Sequence, residues 1–116
     1  ELAMVQGMAG VGQHVPPFTL VSNTNEVAGL NAVGLRRAEY IENRDRLEVK
    51  ELFHEVYRSG LTPAHALEEM DRRGDLGAPA ERFREFVRRV LSARKPYARG
   101  LCPPRTRHHA PQPALV

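Results

Sequence analysis

A chain of 116 residues, 41% of them apolar, has room for one small domain built around one modest core. With 6% aromatic residues, no Trp and nine Pro, it lacks the bulky side chains that hold very small β-sandwiches together, and it calls for support from a partner or from further chain. Five of the 17 Lys and Arg fall after Ala93, where no acid stands, leaving 12 against all 14 acids; the net charge of +3 therefore describes a tail and does not by itself argue for nucleic acid.

Residues 2–24 are acid-free and rich in Gly, small and β-branched residues. Val5 and Val11 stand six apart, and Ala9, Val15 and Val21 form a second row with the same step. A period of six fits two-residue strands that turn the corners of a triangular coil, and Gly7, Gly10 and Gly12 suit such corners. The segment thus reads either as about one coil of a left-handed parallel β-helix or as a Gly-rich loop. Val15-Pro16-Pro17-Phe18 ends the repeat, because the two prolines donate no ladder hydrogen bonds and force an extended exit.

From residue 25 the period becomes 3.6. A short helix is predicted over 27–38, weakened by Gly29 and Gly34. Leu47, Val49, Leu52, Phe53, Val56 and Tyr57 predict a helix over 44–58, stopped by Gly60. Thr62 followed by Pro63 places a cap before a first-turn proline, and Ala66, Leu67 and Met70 carry that helix to Gly74. The cleanest stripe, Ala80, Phe83, Phe86, Val87, Val90 and Leu91, predicts a helix over 79–92. Residues 94–116, rich in Pro, Arg and His, read as mostly disordered. The expected organisation is a terminal β-helix coil over 1–24, a mainly α domain over 25–93 and a basic tail over 94–116.

Val15-Pro16-Pro17-Phe18, then Gly29-Leu30-Asn31, Gly34-Leu35-Arg36-Arg37 and Tyr57-Arg58-Ser59-Gly60, resemble the C-terminal part of the UDP-N-acetylglucosamine O-acyltransferases of lipid A biosynthesis. There a Q-x-V-P-P-[FY] exit from the last β-helix coil leads into a G-[VL]-N-x-x-G-L-[KR]-R segment and a small helical domain; residues 13–18 and 29–37 keep that order and spacing. The likeness extends over residues 2–92. It implies a cytosolic homotrimer that moves an acyl chain from acyl carrier protein to the 3-hydroxyl of the UDP-sugar, with no metal or organic cofactor. The family's catalytic His lies on an upstream coil, so the resemblance implies that this chain alone is inactive, and His14, in the exit turn, is not given that role. Carried over residue by residue, the resemblance implies nucleotide contacts from Asn31, Arg36 and Arg37; Lys50 and Arg58 are candidates for docking the acidic carrier. A guanidinium fork matches phosphate in shape as well as charge. Val33 stands where some members carry Glu, and Ala38 where many carry a further Arg, which puts one phosphate contact in question.

Plainer readings stand beside these. Without the resemblance, Arg36 and Arg37 are surface charge. His54 and His65 lack a second ligand at metal spacing, and Cys102 with His108 and His109 does not meet the four-ligand zinc pattern. A lone Cys excludes an intrachain disulfide and suits a reducing compartment. No apolar run approaches the roughly 18 residues of a membrane span. Opening at Glu1 without an initiator Met, the chain reads as a fragment. The alternative functions are a helical interaction or trimerisation module without catalysis and, less favoured, a nucleic-acid-binding module that uses the basic tail.

Overall fold

The computed structural model describes residues 1–7, 10–23, 25–94 and 98–105. The described residues among the first fourteen pair with segments distant in sequence. In β1 (Met4–Val5), Met4 and Val5 pair in parallel with Leu20 and Val21 of β2 (Thr19–Ser22). Gly10 donates to the Asn23 carbonyl and accepts from the Asn25 amide, at 3.1 and 2.8 Å. His14 donates to the Gly100 carbonyl and accepts from the Cys102 amide, at 2.9 and 2.8 Å. Ala9, one member of the six-residue rows, lies outside the described residues.

The exit at Pro16-Pro17 is a buried turn. Phe18 has a φ of +67° and is fully buried, so burying the ring, worth about 1.5–3 kcal/mol, offsets a backbone conformation that costs a non-glycine residue about 1–3 kcal/mol. Its carbonyl accepts from the Asn31 amide at 2.7 Å, and Thr19 Oγ1 donates to the Pro16 carbonyl at 2.8 Å. β2 then turns through Asn23 and Asn25, at φ +54° and +53°, values that Asn tolerates better than most residues. It returns as β3 (Glu26–Leu30), antiparallel to β2, with Thr19 opposite Leu30 and a bulge between Leu20 and Val21.

The helix predicted over 27–38 is therefore half strand. Val27, Gly29 and Leu30 have partners in the sheet, and helix begins only where the Asn31 side chain caps α1 (Ala32–Arg37). The sheet also crosses the boundary expected after residue 24. Beyond it, α2 (Asn43–Tyr57), α3 (Pro63–Arg72) and α4 (Ala78–Ser92) pack pairwise on one another. α2 starts with a Glu42/Asp45 capping box, and α3 starts with Thr62 accepting from the His65 amide and Pro63 in its first turn. Val49, Leu52, Ala66, Met70, Ala80, Phe83 and Val87 are fully buried between the three helices. Leu47 and Leu91, expected on the buried stripes, are 60% and 42% exposed, because the crossing helices cover a narrower face than the apolar periodicity paints. Arg84, nearly buried, closes the end of α3 by donating to the Met70 and Gly74 carbonyls, both at 3.0 Å.

Within the segment 94–116, read as mostly disordered, residues 98–105 make defined backbone contacts. Leu101 bridges in parallel to His14, and Pro104 bridges in parallel to Val27. Tyr57 Oη donates to the Cys102 carbonyl at 2.9 Å, and Cys102 is fully buried. These contacts are made chiefly by backbone, so composition did not betray them. Residues 106–116, with His108 and His109, lie outside the described residues. The chain is thus helix-rich with one small sheet.

Candidate functional site

α1 is too short to stand alone and is held by its cap. Asn31 uses four polar groups: its amide donates to Phe18, its carbonyl accepts from Leu35, its Oδ1 accepts from the Gly34 amide at 3.1 Å, and its Nδ2 donates to the Leu2 carbonyl at 2.9 Å. The side-chain amide lies where a Cβ on Gly34 would stand, 2.4 Å from Nδ2. Gly34 in the Gly-Leu-Arg-Arg string is thereby explained by packing. One N–H of Nδ2 and one lone pair of Oδ1 remain for a ligand.

A groove of about 580 Å³ runs between the start of the sheet and α1. Met4, Leu20, Leu30 and Val33 supply apolar walls, with Asn31 and Arg37 as the hydrogen-bonding and charged groups at the α1 end. Met4 and Val33 are about half exposed. Sequence reasoning named Asn31 and Arg37 but missed these walls, since β1, β2 and α1 meet only in the fold and share no period. Arg36, beside Arg37 in the last turn, is exposed and does not line the groove. Lys50, also exposed, and Arg58 lie on and at the end of α2, away from it. Arg58 is partly engaged internally: its guanidinium sits 5.5 Å from the centre of the Phe53 ring and donates to the Ala28 carbonyl at 3.4 Å.

The arginines differ in what neutralises them. Arg73 pairs with Glu51 and Glu55, Arg88 with Asp71 and Glu85, Arg84 with Glu81 and Arg82 with Glu1. Among the described residues, Arg36, Arg37, Arg44, Arg46, Arg58, Arg94, Arg99 and Arg105 form no ion pair, and of these Arg37 alone lines the groove. The uncompensated guanidinium of Arg37 at the end of an apolar groove favours an anion with an uncharged portion. Burial raises the Tyr57 hydroxyl and the Cys102 thiol above their ordinary values, which makes both poor acids and the thiol a poor nucleophile. Among the described residues no three His, Cys, Asp or Glu side chains converge as metal ligands, and no helix is long and apolar enough to cross a membrane.

The profile of the family described as UDP N-acetylglucosamine O-acyltransferase, domain 2, matches residues 14–102. Among curated relatives, the acyl-[acyl-carrier-protein]–UDP-N-acetylglucosamine O-acyltransferase of Gloeothece citriformis is 45% identical over 72 residues, covering 61% of this chain and 26% of that protein. The enzyme of the same name from an Anaeromyxobacter species is 38% identical over 89 residues, covering 76% of this chain and 34% of that protein. The chain thus spans about a quarter to a third of the length of these relatives. Among solved structures, the Francisella novicida UDP-N-acetylglucosamine acyltransferase superposes with a TM-score of 0.72 at 25% identity, covering 98% of this chain and 40% of its own. The Bacteroides fragilis UDP-N-acetylglucosamine acyltransferase shares the fold, with a TM-score of 0.57 at 19% identity, over 86% of this chain and 41% of its own. The capped helix and its two arginines fall inside the matched span, and the chain belongs to the UDP-N-acetylglucosamine O-acyltransferase family, whose second domain it carries.

Proposed function

We propose that this chain is the C-terminal portion of an acyltransferase that moves an acyl chain from acyl carrier protein to the 3-hydroxyl of UDP-N-acetylglucosamine, in lipid A biosynthesis. In this reading residues 1–24 supply the last coil of a left-handed parallel β-helix, residues 25–93 the helical domain that covers its open end, and the parent is a cytosolic homotrimer. The serial outward pairing of Met4–Val5, Gly10 and His14 supports the coil, since each short segment meets a different neighbour as a triangular coil requires. A helical cap also protects strand edges that would otherwise template association.

The contribution of this chain is binding, and the bond-making base belongs to upstream coils. Arg37 meets a phosphate of the nucleotide, Asn31 offers its spare donor and acceptor to the uridine, and Arg36 adds charge at the rim. Lys50 and the outer face of Arg58 meet the acidic carrier. The observation that carries the reading is Arg37, without an acidic partner, in the groove that Asn31 also lines. Titration calorimetry of the chain with UDP-N-acetylglucosamine tests it. Arg37→Gln weakens binding about 10- to 100-fold, the worth of one charge-assisted hydrogen bond, with the melting temperature unchanged; equal binding by wild type and variant removes Arg37 from the site.

A further inference from the structure

We infer that residues 98–105 form a positioning strap for the nucleotide-facing corner: by pairing with both His14 and Val27 they fix the strand that delivers Asn31 and Arg37 to the groove. β3 has two edges. One pairs with β2 across a bulge, which interrupts the ladder locally and leaves a residue unpaired. The other edge belongs to the strap: the Val27 amide donates to the Pro103 carbonyl at 2.8 Å, and the Arg105 amide donates to the Val27 carbonyl at 3.0 Å. Val27 stands four residues before Asn31, about 13 Å along an extended strand, so an error in its seating is carried directly into the cap of α1.

The strap is built to stay seated. Gly100, at φ +76°, turns it toward His14. The Arg99 carbonyl accepts from Gln13 Nε2 at 3.2 Å, the Cys102 carbonyl accepts from Tyr57 Oη at 2.9 Å, and the Arg105 guanidinium donates to Ser22 Oγ. It therefore ties together the exit of the first segment, β2, β3 and the last turn of α2. The contacts from Pro103 onward lie beyond the span matched by the family profile. Because the coupling of two sites is reciprocal, a ligand that settles the α1 corner must also hold the strap down.

Cys102, within the strap, is the chain's one thiol and is fully buried, so its reaction with a disulfide reagent such as DTNB reads strap opening. The ligand arm of the test rests on the nucleotide reading; an amide-exchange arm does not. Gly100→Val, Tyr57→Phe and Arg105→Ala loosen the strap to different degrees. The expected results are faster labelling of Cys102 and faster exchange at residues 27–37, with protection of α4 retained. UDP-N-acetylglucosamine affinity falls about tenfold in the Gly100 variant, and saturating ligand slows wild-type labelling by a similar factor, within the range of ordinary site-to-site coupling. Faster labelling with unchanged exchange at residues 27–37 overturns the inference. If wild type binds no UDP-sugar yet exchange at 27–37 rises in the variants, the strap stands and the nucleotide reading falls. If Gly100→Val unfolds the chain, Arg105→Ala, which removes only the Ser22 contact, decides by the same exchange readout.

Discussion

Gly34 offers a sign reversal that depends on a single side chain. In an exposed helix, Gly→Ala ordinarily stabilises by about 1 kcal/mol. Here the added Cβ would lie 2.4 Å from Asn31 Nδ2 and 2.9 Å from Asn31 Cγ, so the amide must leave. Leaving breaks the cap to the Gly34 amide, worth about 1 kcal/mol, and the hydrogen bond to the Leu2 carbonyl, worth about 1 kcal/mol. Set against the propensity gain, Gly34→Ala destabilises by about 1 kcal/mol, close to 4 °C in melting temperature for a chain of this size. With Asn31→Ala already in place nothing obstructs the new methyl, and Gly34→Ala then stabilises by about 0.5–1 kcal/mol. The double-mutant cycle should show coupling of about 2 kcal/mol, measured by urea unfolding of the four proteins followed by circular dichroism. A stabilising Gly34→Ala in both backgrounds would refute the conclusion that Asn31 and Gly34 form one packed unit.

Other consequences are as direct. Arg84→Ala should cost about 2 kcal/mol, since it leaves the Met70 and Gly74 carbonyls without their shared donor, whereas Glu81→Gln, at a half-exposed carboxylate, should cost well under 1 kcal/mol; equal losses in urea unfolding would contradict the assignment of Arg84 as a buried cap. Phe83→Ala, at the fully buried centre of the three helices, should cost about 3–5 kcal/mol and leave the chain largely unfolded at 37 °C by circular dichroism. The pH dependence follows from the raised Tyr57 and Cys102 values. Above about pH 9 the unfolded chain sheds these protons while the folded chain keeps them, so their stabilisation is complete below that pH and is lost as pH rises through the folded values. The melting temperature should decline from about pH 9 upward, and the Tyr57→Phe/Cys102→Ala double variant should follow a flatter curve; a wild-type curve level to pH 11 would contradict it.

The helices were legible because their information is local. α2, α3 and α4 each carry a 3.6-residue stripe between a cap and a stop, and Phe83, Val87, Leu52 and Met70 are buried where that stripe puts them. β3 was not legible. Val27, Ala28, Gly29 and Leu30 show no alternation, and their strand state comes from partners at Thr19–Ser22 and at residues 103–105, which no window around them contains. The strap was hidden for the same reason, as its attachment is by main-chain groups that any sequence possesses. At the candidate site the polar half, Asn31 and Arg37, stood in a recognisable string, while the apolar half is assembled from β1, β2 and α1. Arg58, chosen for its charge, proved to be shared between solvent and the Phe53 ring, a contact set by the chain's return to Ala28.

The most direct measurement replaces the corresponding third of the Anaeromyxobacter relative with residues 2–105 of this chain and follows acyl transfer from acyl carrier protein to UDP-N-acetylglucosamine. A functional C-terminal portion predicts that the chimera assembles and transfers, and that Arg37→Gln within it raises the KM for the UDP-sugar about tenfold or more. A folded, assembled chimera that transfers no acyl chain, or one indifferent to Arg37, would contradict the assignment.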